Sequence, residues 1–180
     1  NEIIMAVRSG KAIRFPEAKV RPMGRGASGV RAMALDTEND EVVGMVCAES
    51  EQDSILVVSE NGYGKRTLVE DYRITNRGGK GVKTLNVTDK TGDVIAVKDI
   101  TDEDDLMITT KRGIMIRMAA ADLRVMGRAT QGVRLINLKS GESIASVAKV
   151  PASEPEELTE GLEGGPEAGA TPEVGEATAE

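Results

Sequence analysis

The chain has 180 residues, 39% of them apolar and only 2% aromatic, with a formal net charge of -7. That length and apolar share suffice for one ordinary core, built of aliphatic side chains. Having no histidine and a single cysteine, it lacks the usual general base at neutral pH, the Ser-His and Cys-His pairs, the commonest metal ligand and any intrachain disulfide.

In chain order, Ile3 to Val7 is apolar and β-branched and reads as a strand ending at Ser9-Gly10. It opens almost at Asn1, without an initiator Met or the regions of a signal peptide, which reads as a piece cut from a longer chain. A second short run follows the glycine, then a candidate strand from Val30 to Leu35, an acidic joint from Asp36 to Glu41, and a last strand from Val42 to Ala48. Cys47 lies in that apolar run and reads as an inert core thiol in a reducing cytoplasm. The pattern then recurs: Ser54 to Val58, the turn Asn61-Gly62, Val82 to Val87 and Val94 to Val97; and again Leu106 to Thr110, the turn Arg112-Gly113, Val133 to Leu138 and Ile144 to Val150. Asn-Gly between two such runs is a hairpin signal. No segment keeps a 3.6-residue period, although Ala119 to Leu123 has room for one helical turn.

The units are about fifty residues long and share the frame G-x-x-x-R followed by R-x-x-x-G-V-[RK]. Four short strands at this period fit all-β propeller-like blades, at 1–50, 51–101 and 102–150. Three blades make a partial ring, so further blades are expected ahead of Asn1. From 151 to 180 the chain turns to Glu, Gly, Ala, Pro and Thr, with too little apolar surface to offset the entropy of ordering, and reads as a disordered acidic tail. All nine of its charges are Glu, which leaves 1–150 with 23 basic and 21 acidic residues. The body is therefore near neutral but patterned, and no run in it approaches the roughly 20 apolar residues of a membrane span.

The recurring cations are Arg14, Arg66 and Arg117 after the hairpin turns; Arg25, Arg77 and Arg128; and Arg31, Lys83 and Arg134. Evenly spaced bases beside glycine turns suit sequence-independent contact with a continuous row of phosphates. The alternative is a set of clamps between blades that pair with the acidic joints. For Arg14 and its equivalents both readings stay open; for the R-x-x-x-G-V-[RK] segments phosphate contact is the favoured one. The middle copy, Asn76-Arg77-Gly78-Gly79-Lys80-Gly81, sets two cations among three glycines, a strip able to lay amides and charge along a backbone. Lys65 and Arg66, just after the Asn61-Gly62 turn, join the candidate DNA contacts. The loop is no Walker motif, because Gly81 and Val82 follow Lys80.

Arg77-Gly78-Gly79-Lys80-Gly81 resembles the core of the GyrA box, Q-R-R-G-G-[K/R]-G, and Asn61 to Thr67 is similar to a repeat segment of the DNA gyrase A C-terminal domain family. Met23-Gly24-Arg25 through Arg31, and Gly127-Arg128 through Val133, are similar to neighbouring repeats of that family. The resemblance covers 1–150. It implies a six-bladed β-pinwheel that exchanges strands between blades and wraps double-stranded DNA on a basic rim, this chain supplying the last three blades and the tail. It further implies a bacterial, cytoplasmic, chromosome-associated type II topoisomerase. The cleavage tyrosine would lie in a separate upstream domain, and ATP with Mg2+ would be used by other domains or by a gyrase B partner in an A2B2 assembly. No cofactor is expected in this chain, and Tyr63 and Tyr72 read as rim or packing residues. Thr75 and Asn76 stand where the box has Gln and Arg, and the family's box belongs to the first blade. The loop therefore reads as a repeat-derived relative of the box. The alternatives are the C-terminal domain of topoisomerase IV, with a smaller ring, and a propeller used for protein interaction.

Overall fold

The computed structural model describes residues 1–151. The acidic-tail expectation, but for Pro151, lies outside the described residues. Eleven strands form among them: β1 (Glu2–Val7), β2 (Lys11–Pro16), β3 (Val42–Ala48), β4 (Ser54–Ser59), β5 (Tyr63–Leu68), β6 (Val82–Lys83), β7 (Val94–Ile100), β8 (Asp104–Thr110), β9 (Met115–Ala119), β10 (Val133–Arg134) and β11 (Ile144–Pro151). None of the described helices is long and apolar enough to cross a membrane.

Each unit starts with a hairpin: β1 with β2, β4 with β5, β8 with β9. The amides of Gly10, Gly62 and Gly113 bond back to the carbonyls of Val7, Ser59 and Thr110 at 3.1, 3.2 and 2.9 Å. All three glycines have φ between 84° and 86°, the left-handed region that a side chain disfavours, so the glycine closes the turn as a bulge would. The last strand of the unit (β3, β7 or β11) then pairs antiparallel with the first.

The fourth strand comes from elsewhere. β6 of the second unit pairs with β2 of the first, and β10 of the third with β5 of the second, giving sheet orders β3-β1-β2-β6 and β10-β5-β4-β7; the third sheet has only β11-β8-β9. This corrects the expected strands at Val30 to Leu35, Val82 to Val87 and Val133 to Leu138. The second and third shrink to two residues given to the preceding blade, and the first has no strand, because no preceding edge exists for it among the described residues. The single expected helical turn is present as a 3-10 turn, Ala120–Asp122, and has unforeseen counterparts at Glu17–Lys19 and Val69–Asp71.

The sheets stack face to face. Ile55 and Val57 of β4 face the first blade, packing with Ile4, Ala6, Val46 and Tyr72, whereas Leu56 and Val58 face the third, packing with Leu106, Ile108 and Val147. Every residue of β4 is buried for this reason, which explains its unbroken apolar run. A third cluster, Val7, Ile13, Phe15 and Met33, covers the other side of the first sheet. β3, β7 and β11 converge on a common groove lined by Val43, Met45, Val97 and Val147. The exchanged strands β6 and β10 therefore mark the outer edge.

Cys47 is exposed, which corrects the core-thiol reading. In β3 only alternate side chains turn inward, and Val46 and Ala48 are the buried ones.

Candidate nucleic-acid interface

The three arginines after the hairpin turns pair with neighbouring groups of the protein, and Arg14 clamps two blades together. Arg14, 2% exposed, donates to the Val69 and Tyr72 carbonyls of the next blade at 2.9 Å each, to Glu51 at 3.1 Å, and to Glu2. Its two backbone acceptors belong to the first residue of the 3-10 turn Val69–Asp71 and to the residue that follows it, so the guanidinium ties one blade to its neighbour. Arg66 is largely covered, donating to Ser54 Oγ at 2.6 Å and pairing with Asp102. Arg117 is more open and pairs with Asp105, its Nε at 2.6 Å. For Arg14 and Arg66 the structure thus corrects the DNA-contact reading: with the guanidinium spent on neighbouring groups, no phosphate reaches it.

Lys65 is likewise corrected. It is 1% exposed, and its ammonium sits among the carbonyls of Gly127 (2.9 Å), Arg128 and Thr130 (3.3 Å) and the Thr130 hydroxyl (3.3 Å). In the first unit the same place is held by Ile13, beside Gly79. Burial pushes the Lys65 ammonium down to about 8 against a nearby Asp71 that raises it. The folded state therefore releases this proton at lower pH than the unfolded chain. Stability from this group is flat below about pH 8 and rises between there and the ordinary lysine value near 10.4. Lys65→Met removes the titrating ammonium but also strands the carbonyls of Gly127, Arg128 and Thr130, so the sign of its effect at pH 7 is set by the balance of the two. The stability of the parent relative to this variant should be constant below about pH 8 and rise as pH climbs from about 8 to 10, which a pH series of paired thermal melts checks; a difference that stays constant across the series contradicts the assignment.

The remaining cations lie outward. Arg25, Arg31, Arg77, Lys80, Lys83 and Arg134 are exposed and Arg128 half-buried. Arg77 reaches across the blade junction, donating to the carbonyls of Lys19 and Arg31 at 3.1 Å each, and Arg128 repeats the reach to Lys83 O at 2.8 Å. Such bonds to carbonyls hold the guanidinium in place and leave its charge uncompensated. Arg134 donates to Tyr63 Oη at 2.8 Å, and its guanidinium and Lys90 both lie over the Tyr63 ring, 5.5 and 5.4 Å from its centre. Tyr63 is thus a rim packing residue, while Tyr72 is wholly buried.

The glycine loop is more fixed than its composition implies. The amide of Gly78 is taken by Ala32 O at 2.6 Å, and Gly79 O accepts from Ala34 at 2.9 Å. A Cβ on Gly81 would lie 2.4 Å from Ala12 O, so this glycine permits close approach of two backbones. Gly78 and Gly81 thus serve the blade junction, and only Gly79 and Lys80 of the loop's second half stand exposed.

A further repeated row escaped the sequence frame. Arg21, Arg73 and Arg124 stand seven residues beyond the clamp arginines, each just past a 3-10 turn, exposed and without a polar partner among the described residues. Beside two of them lie the exposed apolar residues Ile74 and Val125. These are anchored by parallel bridges to Arg14 and Arg66, with Thr75 N and Met126 N bonded at 2.8 Å to the two carbonyls. The backbone under this row is therefore tied to the preceding blade.

A family model described as the DNA gyrase C-terminal domain, beta-propeller, matches residues 1–49, 53–100 and 104–151. The chain belongs to the DNA gyrase C-terminal domain family. The DNA gyrase A protein of Staphylococcus aureus (strain NCTC 8325) is 48% identical over 160 residues, 88% of this chain and 18% of that protein. Among solved structures, the C-terminal domain of DNA topoisomerase IV superposes with a TM-score of 0.78 at 25% identity, covering 84% of this chain and 47% of that one. The DNA gyrase A C-terminal domain gives 0.74 at 29%, covering 82% and 50%. The chain thus spans under a fifth of the length of the gyrase A proteins it matches and about half of these two solved domains. The pinwheel expected from the resemblance is the fold found: all-β, with strands exchanged between blades.

Proposed function

We propose that this chain binds duplex DNA along its outer edge without sequence preference, as part of the wrapping domain of a gyrase A protein in a type II topoisomerase. The observation that carries the reading is the set of exposed cations repeated on successive blades: Arg25 and Arg77, Arg31, Lys83 and Arg134, and Arg21, Arg73 and Arg124. Phosphates spaced along a duplex match such a row without base contacts. Arg77 and Arg128, braced across blade junctions, keep the rim cations at fixed separation, which favours a bent path over a flexible one. Within the longer protein, the wrapped segment would be presented for strand passage, with cleavage on an upstream domain and ATP and Mg2+ used by other domains or a gyrase B partner. The protein would act on the bacterial chromosome in the cytoplasm. The 48% identity to a gyrase A protein, together with the box-like loop, favours gyrase over topoisomerase IV.

A titration of duplex DNA against salt tests this. With four to six phosphate contacts, log K should fall against log salt with a slope of about -4 to -5. A slope near zero, or strong preference for one sequence, contradicts the reading. Replacing Arg77 and Lys80 by Ala should weaken binding several-fold more than replacing Lys98 and Lys111, which border grooves on the inner side of the blades, at equal loss of charge. Equal losses would point to net charge alone.

A further inference from the structure

At the junction of the second and third blades, strand exchange brings three donor groups together with no carboxylate among them. β10 sets Arg134 opposite Tyr63. The Arg134 guanidinium donates to Tyr63 Oη at 2.8 Å and to Asn137 Oδ1 at 3.1 Å, and lies 5.5 Å from the centre of the Tyr63 ring. Lys90 stands 5.4 Å from the same centre. The turn beneath Lys90 is pinned to the neighbouring hairpin by the Asn61 side-chain amide, which donates to the carbonyls of Asp89 and Lys90 at 3.2 and 3.3 Å. Among the described residues neither cation pairs with a carboxylate, and the Tyr63 hydroxyl has no acceptor for its own proton.

Two like charges held on one ring repel each other. An anion seated between them removes the repulsion and gives the phenol the acceptor it lacks. The hydrogen bond from Arg134 above all, and the charge of Lys90 with it, hold the phenol below its ordinary range, which makes it a better donor. The junction of the first and second blades provides an internal comparison. There Lys83 stands opposite Lys11, in the place of Tyr63, but Lys11 is paired with Asp36, and the repeat puts Glu38 where the second unit has Lys90. Two cations are matched by two carboxylates. At the later junction the places of Asp36 and Glu38 are held by Thr88 and Lys90, so the positive charge is left over.

We propose that Tyr63, Lys90 and Arg134 form a site for one phosphate group, and that a backbone phosphate of bound duplex DNA fills it. The two unesterified oxygens of a phosphodiester accept from all three donors at once, two of them on one oxygen. The site rests on the DNA binding proposed above and adds to it Tyr63 and Lys90, which the repeat frame does not group with the rim cations. Strand exchange builds it: Tyr63 and Lys90 belong to the second unit and Arg134 to the third, so neither unit holds the phosphate alone.

Duplex titrations against salt test the site, with thermal melts to confirm that each variant is folded. Tyr63→Phe keeps the ring and the charge and removes one donor; it should weaken binding about tenfold with the salt slope unchanged. Lys90→Ala and Arg134→Ala should each weaken binding, and the double variant should lose about 0.9 from the slope, the share of one phosphate, where two separate contacts would lose about 1.8. Lys90→Glu, which copies Glu38 of the other junction, should cost more affinity than Lys98→Glu at the same change of charge. If the parent keeps a slope of about -4 to -5 while Tyr63→Phe binds like the parent, or while the double variant loses about 1.8, the site is overturned and the DNA binding stands. The Arg134 Nε–H resonance, followed with duplex DNA and separately with inorganic phosphate, covers the other failure. A response to phosphate alone removes DNA as the occupant, and a response to neither overturns the site.

Discussion

Arg14→Met should cost this chain about 3 kcal/mol, because the substitution strands two interblade carbonyls and the partly covered Glu2 carboxylate at once. For a chain of this size that is a drop of roughly 6–12 °C in melting temperature. At a temperature where the variant is folded, its DNA affinity should stay within about twofold of the parent, since the side chain is 2% exposed. Thermal melts paired with a DNA titration check both halves. A stable variant with weakened binding would restore Arg14 to the interface and remove its role as a clamp.

The opposite outcome is expected for Arg21, Arg73 and Arg124. These side chains are exposed and bond to nothing among the described residues, so their replacement by Ala should leave the melting temperature within a degree or two. If each contacts one phosphate, the triple variant should lose about 2.7 from the salt slope and, at about 0.1 M salt, on the order of 100-fold in affinity. Ile74 and Val125 sit beside two of them on the same anchored backbone, and Ile74→Ala with Val125→Ala should weaken binding without changing the slope, because they carry no charge. An unchanged slope for the triple arginine variant would confine the interface to the Arg25, Arg77 and Arg128 rows.

Strand order within a unit was legible because it is written locally: glycine at each hairpin, β-branched runs around it, and a period near fifty that forced one structure on all three copies. The box-like loop was legible as a motif. Strand exchange was legible only through the family resemblance, since Val82-Lys83 and Val133-Arg134 carry no local mark of which blade they join, and β pairing over such distances is decided by the edge available. The split between clamp and rim arginines was only half legible: the clamp reading stayed open for Arg14 and its equivalents, and only their cross-strand neighbours decide it. A signal did exist. Arg14, Arg66 and Arg117 each have a carboxylate or hydroxyl twelve residues earlier, Glu2, Ser54 and Asp105, which a hairpin brings diagonally opposite. Arg21, Arg73 and Arg124 repeat at the period of the units and were overlooked because the frame drawn around the glycines skipped them. Lys65 lay hidden because a cation where the first unit has isoleucine looks like a rim residue until its position is known to face inward.

The exchanged strands also govern the order in which the molecule is finished as it is made. β3, the last strand that the first unit gives to its own sheet, ends at Ala48, and β6, which seals β2, begins at Val82. At roughly 5–20 residues per second the ribosome needs about 2–7 s to bridge that interval. Throughout it the β2 edge at Lys11 and Ala12 has no strand partner on its own chain. Each blade must therefore wait for its successor to be translated, and slow codons between the units would lengthen the period in which neighbouring nascent chains can reach that edge.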